Sequence, residues 1–185
     1  MNYLFFEDNV YPLYTGNTYQ MGPTVASNIY LPSLENITLE VKETEIRLLG
    51  KTYAHGNHLV SIDDKINISL LVIENTEYYL LPEKILYLSD KKEASIRLVD
   101  FPTEIILTFD GTNKTIYSAS PYYVNGERKT GKQDIQDMDQ IVFEQGVALS
   151  IQKQILSIHS LFSIETSLLP FSEVMVEDRS KEFHR

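Results

Sequence analysis

Three stretches of this chain hold residue types that could do chemistry. Gly126-Glu-Arg-Lys-Thr-Gly131-Lys132-Gln133 follows the phosphate-binding loop pattern as far as its lysine. Such a loop needs Ser or Thr next, to ligate Mg²⁺, and a helix opening there so that backbone N–H groups face the phosphates. Gln133 stands in the hydroxyl position, and the acidic run Asp134-Ile-Gln-Asp137-Met-Asp139 leads on into a strand, so the stretch reads as an exposed inter-strand loop. Arg128, Lys129 and Lys132 then form a basic patch in an acidic chain, suited to an acidic partner surface. His55-Gly-Asn-His58 offers two imidazoles but neither cysteine nor a third ligand at metal spacing, and reads as a polar loop. Asp134, Asp137 and Asp139 lack the glycine and terminal glutamate of a calcium loop. His159 closes a strand, and nothing resembles a nucleophile elbow. The sequence assigns no catalytic, cofactor-binding or metal-binding residue.

The elements that would position these groups are short strands. Tyr122-Tyr123-Val124 suits a half-buried pleated surface, and Asn125-Gly126 supplies the positive-φ corner of a tight turn. Past the polar loop, Asp139 to Ile151 reads as a hairpin bent at Gly146. The pattern also occurs upstream: Tyr53 and Gly56-Asn57, a polar loop, the apolar run Ile66–Ile73, then Tyr78–Leu81. Ser27-Asn-Ile-Tyr-Leu31 matches Ala94-Ser-Ile-Arg-Leu98 at an offset of 67, and Glu35–Val41 matches Thr103–Phe109 at 68. Tyr53 matches Tyr122 at 69. An offset that creeps by single residues is what loop insertions in a duplicated unit produce.

The remaining segments agree. Asn2–Phe6, Val10–Tyr14, Thr18–Met21, Ile29–Leu31, Ile37–Lys42 and Glu45–Leu49 are strand-like, with Gly22-Pro23, Pro32-Ser33 and Gly50 as breaks. No helix-period stripe of three turns occurs among them. Ile85–Leu88, Ser95–Leu98, Ile105–Phe109, Lys114–Tyr117 and Ile155–His159 continue the series, and turns every 8–12 residues are the mark of a β-sandwich. The expected organisation is all-β, with two domains at 1–82 and 83–160, joined at Leu81-Pro82-Glu-Lys84, and a tail at 161–185.

Composition limits the functional classes. The chain has 185 residues, 43% of them apolar, and no cysteine, which excludes disulfides and thiol chemistry. No apolar run approaches the ~18 residues a membrane helix requires, and the start lacks a basic n-region. Net charge is −10; residues 1–83 carry four basic and eleven acidic side chains, 84–185 twelve and fifteen. The acidic first half repels phosphate backbones and anionic lipid, so nucleic acid is not an expected partner for it.

A glycine-containing loop after an early strand, a polar loop two strands on, and Asn-Gly after an aromatic strand make the chain similar to the forkhead-associated (FHA) domain. Two such units in tandem, in an acidic cysteine-free chain ending Arg-Ser-Lys-Glu-Phe-His-Arg, further resemble the amino-terminal cytosolic region of the EssC/YukBA-type ATPases of Gram-positive type VII secretion. The resemblance implies two FHA-like β-sandwiches. It implies a non-catalytic interaction module on the cytoplasmic face of the membrane, before the membrane helices and FtsK/SpoIIIE-type ATPase domains. ATP and Mg²⁺ would belong to those downstream domains alone. Partners would be other secretion proteins, such as a pseudokinase-like membrane subunit, or further copies of the chain, with the membrane reached only through the downstream helices.

The family grips phosphothreonine with Gly-Arg, Ser-x-x-His and Asn-Gly in three loops. Here Gly22 is followed by Pro23, Ser33-Leu-Glu-Asn36 lacks the histidine, and the turn is inverted to Gly56-Asn57. In the second unit Ser89-Asp90 and Asp100-Phe-Pro-Thr103 replace the first two motifs, and Asn125-Gly126 is intact. The loop-end positions implied for binding are thus Gly22, Ser33, Asn57, Ser89, Asn125 and Gly126, with Arg128, Lys129 and Lys132 beside them. A phosphate needs charge-assisted donors, above all an arginine fork. Asp90 and Asp100 would repel it, which makes the units degenerate for phosphothreonine. The alternative is a working phosphothreonine-reading pair.

Overall fold

The computed structural model describes residues 1–33, 35–82 and 84–168. Every regular element among them is a β-strand. The chain divides into two compact units, Met1–Glu74 and Asn75–Arg185.

The first unit opens with β1 (Asn2–Phe6) and β2 (Asn9–Leu13), an antiparallel hairpin turning at Glu7 with φ 54°. Then come β3 (Thr18–Gly22), β4 (Ile29–Tyr30), β5 (Ile37–Val41), β6 (Ile46–Leu48), β7 (Lys51–Tyr53), β8 (Gly56–Ser61) and β9 (Asn67–Val72). They form two sheets, in the orders β2-β1-β9-β8 and β4-β3-β5-β6-β7. Alternation sends Leu39 and Val41 inward beside Ile46 and Leu48, where they meet Leu4, Ile68 and Leu70 in one buried core.

The second unit contains β10 (Thr76–Leu80), β11 (Ile85–Ser89), β12 (Ile96–Leu98), β13 (Ile105–Asp110), β14 (Asn113–Val124) and β15 (Glu127–Ile135), then β16 (Ile141–Phe143), β17 (Val147–Gln152), β18 (Ile155–Ser160) and β19 (Ile164–Thr166). The strand order runs β10-β18-β17-β16-β14-β13-β11-β12-β19, with β15 on β14. The long β14 serves both layers. Its first half pairs with β13, its last two residues pair with β16, and a register shift between Ser118 and Tyr122 turns it from one to the other. Tyr79, Leu86, Leu107, Ile116, Phe143 and Ile158 are among the side chains that fill this second core.

The registers make the duplication explicit. In β3–β4 the parallel pairs are Met21↔Ile29 and Gly22↔Tyr30; in β11–β12 they are Leu88↔Ile96 and Ser89↔Arg97, an offset of 67. Leu39↔Leu48 in β5–β6 corresponds to Leu107↔Ile116 in β13–β14, an offset of 68. Tyr53, however, pairs with Ile46 as Ile135 pairs with Lys114, so the counterpart of Tyr53 is Ile135 and not Tyr122. The second unit carries an extended hairpin where the first has a tight one.

Three further expectations are corrected. The stretch after Asn125-Gly126 is strand β15 and not a loop, because its polar residues alternate along a single edge with only Ile135 buried. The units divide at 74/75 and not 82/83, because β10 pairs with β18 and buries Tyr79 in the second core. The segment expected as a tail from 161 begins inside the second unit, where β19 pairs with β12; its part at 169–185 lies outside the described residues.

Candidate functional site

The loop end of the second unit is assembled from the turns after β11 and β12 and from β19. Ser89 is buried, and its hydroxyl accepts from the Lys91 N–H at 3.0 Å. Asp90 accepts through Oδ1 from the Asp100 N–H at 3.1 Å and from Arg97 at 3.2 Å, while its carbonyl accepts from Arg97 Nε at 2.7 Å. The other fork of Arg97 reaches Glu165 Oε2 on β19 at 3.0 Å. Arg97 is held firmly in its charged form, by the hydrogen bond to Glu165 first and the Asp90 charge after it. Asp100 has φ 69°, a left-handed value that turns its N–H onto Asp90. Thr103 accepts from the Ser120 hydroxyl at 2.8 Å. Arg97 therefore lies between two carboxylates of the same unit.

In the first unit the equivalent of Arg97 is Tyr30, 56% exposed. Gly22 is a packing glycine, since a Cβ there would fall 2.1 Å from Asn36 Oδ1. Ser33 is buried and donates to its own turn at the Glu35 carbonyl, 2.9 Å away. Asn57 lies within β8 opposite Leu71, and not at a turn tip as the inverted Gly56-Asn57 suggested. His58 Nε2 sits 2.7 Å from the Ala54 carbonyl with its ring against Tyr53, and His55 Nδ1 accepts from the Glu74 N–H at 3.1 Å. Among the described residues no cluster of three ligand side chains could hold a metal.

Asn125 and Gly126, with φ 49° and 86°, form the two-residue turn between β14 and β15 that Asn-Gly specifies. The Asn125 side chain donates to Asp139 Oδ1 at 2.9 Å and accepts from the Gln140 N–H at 3.0 Å. Asp139 Oδ2 also accepts from Gln136, the residue after β15, at 2.8 Å. The hairpin curls so far that one carboxylate joins its tip to its base. Asn125 is thereby engaged with the 136–140 segment. Arg128, Lys129 and Lys132 lie along β15, with Lys129 on Glu127 at 3.2 Å.

The far end of this unit has an open groove of about 870 Å³, lined in part by Leu80, Pro82, Phe109 and Ile135. Among the described residues its one carboxylate is Asp137, bound by Lys114 Nζ at 2.6 Å and by the Lys153 N–H at 3.0 Å, and Lys114 chiefly holds its pKa below the usual range.

Arg97 and Glu165 at the loop end, and Asp139 beside the Asn125 turn, are residues that the sequence did not mark as site candidates. A signal for Arg97 was present: in the match of Ser27–Leu31 to Ala94–Leu98 it is the one position where a charge enters. Nothing comparable marks Glu165, which arrives on a strand outside the repeat.

The paired sheets, the parallel β3–β4 and β11–β12 ladders and the two repeats define an FHA-like β-sandwich. No family model matches the sequence, and no curated protein matches it. Among solved structures, the chain is similar to the N-terminal FHA domain from EssC, a component of the bacterial Type VII secretion apparatus. The match has a TM-score of 0.67 and covers 92% of this chain and 97% of that chain, at 14% identity. At that identity the likeness is one of fold.

Proposed function

We propose that this chain is a non-catalytic interaction and assembly module of a type VII secretion membrane ATPase of the FtsK/SpoIIIE type. It stands at the cytoplasmic face of the membrane and is degenerate for phosphothreonine. The fold likeness to the EssC domain supports the setting. The observation that carries the degeneracy is the Asp90–Arg97–Glu165 arrangement. A phosphothreonine brings nearly two negative charges. To use Arg97 it must displace two internal carboxylates, and it would meet Asp90 and Asp100 on arrival. With the phosphate grip satisfied from within, recognition rests on surface contact with folded partners, such as a pseudokinase-like membrane subunit of the same machinery.

Calorimetric titration of the chain with a phosphothreonine peptide library and its unphosphorylated counterparts tests this. No phosphate-dependent heat is expected. Micromolar binding that requires the phosphate and disappears in Asn125→Ala would overturn the reading in favour of a working phosphothreonine reader.

A further inference from the structure

On the outer face of the β11–β13–β14–β15 sheet, Ile85, Tyr87, Ile106 and Tyr117 occupy positions where a solvated face is usually polar. Successive registers place Tyr87, Ile106, Tyr117 and Lys132 in one row across the four strands, and Ile85, Thr108, Thr115 and Asp134 in the next. Ile85 is 58% exposed and Tyr117 45%. The first unit supplies an internal control. The positions equivalent to Ile85, Tyr87, Ile106, Thr108 and Thr115 are Thr18, Gln20, Thr38, Glu40 and Arg47, while Tyr117 corresponds to Leu49, itself 50% exposed. There the Gln20 and Thr38 side chains hydrogen-bond each other at 3.1 Å, as an outer face in water does. The fold therefore does not require apolar residues at the positions of Ile85, Tyr87 and Ile106.

The polar groups on this face are arranged for covering. Thr108 and Thr115 bond each other through their hydroxyls, so burial leaves neither without a partner. At the Tyr87 border Lys91 is paired with Glu104 at 2.7 Å. At the other border Lys132 and Asp134 stand two residues apart on the same side of β15, and neither has an ion pair among the described residues.

We propose that this face is a two-fold contact surface for a second copy of the chain. Place the axis in the plane of contact, across the strands and between the two rows. The first row of each copy then lies on the second row of the other. Lys132 of each copy faces Asp134 of the other, Tyr87 faces Ile85, Ile106 faces Thr108 and Tyr117 faces Thr115. The face is self-complementary in charge and in shape class, as an isologous contact demands. A basic or an acidic partner would satisfy only one of the two border charges. Four strands about 4.8 Å apart and two rows about 7 Å apart make a patch well short of a standard interface. The association is accordingly weak, with a Kd on the order of 100 µM. The surface stands on the fold alone, and its failure would leave the secretion reading untouched.

Sedimentation velocity of the full chain up to about 1 mM tests the proposal. Salt of 0.15 M, where the Debye length is about 8 Å, limits repulsion between the acidic copies. A concentration-dependent dimer is expected. Tyr117→Ser and Lys132→Asp should each weaken it roughly tenfold. The swap Lys132→Asp with Asp134→Lys should return it to within about threefold of the parent, because the two-fold pairing is preserved with its signs exchanged. Far-ultraviolet circular dichroism identical to the parent's establishes that each variant is folded. A monomer at every concentration overturns the proposal and gives the face to a different occupant. A dimer indifferent to all three variants also overturns it, by placing the contact elsewhere.

Discussion

At the residue scale, two positions have consequences large enough to measure. Gly146 has φ 129°, and a Cβ there would fall 2.7 Å from Leu161 Cδ1 and 3.2 Å from Leu161 Cβ. Its N–H donates to the Phe143 carbonyl and its own carbonyl accepts from Leu161, so the backbone cannot rotate away without losing both bonds. Gly146→Ala combines left-handed strain with overpacking and should cost about 2–4 kcal/mol of stability in urea unfolding. His159 lies with Nδ1 2.7 Å from the Thr76 hydroxyl, and burial pushes its pKa down to about 4. The unfolded imidazole titrates near 6.5, so below that pH the unfolded chain binds a proton that the folded chain refuses. Stability should fall as pH drops from about 6.5 to about 4, by at most roughly 3 kcal/mol. His159→Gln should flatten the chemical-denaturation midpoint over that window, and a slope unchanged by the substitution would show that the imidazole is not the responsible group.

At the element scale, the β14–β15 hairpin separates what was legible in the sequence from what was not. The Asn125-Gly126 turn could be read directly because its φ values admit few other residues. The offsets of 67 and 68 survive in the β-ladder registers because apolar side chains at period 2 fix each strand's inward face, and a slip of one residue would turn them out. The strand nature of Glu127–Ile135 was hidden for the opposite reason. It pairs with β14 alone and its outer side chains meet water, so its composition is that of a loop. The caging of Arg97 was equally hidden, since its partners lie seven and sixty-eight residues away and only pairing of β12 with β19 brings Glu165 to it. Asn125 then has a structural task that can be divided. Asn125→Gly keeps the positive φ and removes the ties to Asp139 and Gln140, at about 1–2 kcal/mol. Asn125→Ala removes the same ties and adds the left-handed penalty, about 1 kcal/mol more. Thermal unfolding of the two variants should differ by that increment, and equal melting temperatures would show that the turn conformation is not what the asparagine secures.

At the scale of the whole molecule, the position of β10 decides how the repeats are cut from the chain. β1 lies between β2 and β9, antiparallel to both; β18 lies in the same way between β10 and β17. One slot in the sandwich is thus filled by the strand before the first repeat and, in the second unit, by the strand after the second repeat. The unit boundary moves accordingly from the Pro82 joint to Asn75, and Tyr79 becomes a core residue of the second unit at 2% exposure. Its hydroxyl donates to Glu77 within the same strand, and burial is the larger cause that drives its pKa well above the ordinary tyrosine value. Tyr79→Ala removes a large side chain from the core that holds Leu86, Leu107 and Ile158, and should cost about 3–5 kcal/mol. The two units have separate cores, so the loss should be read locally. Hydrogen exchange should lose protection in β11, β13, β17 and β18 while β5, β8 and β9 keep theirs. If the first unit loosened instead, or both to the same degree, Tyr79 would belong to the earlier repeat, and the chain would divide at the proline after all.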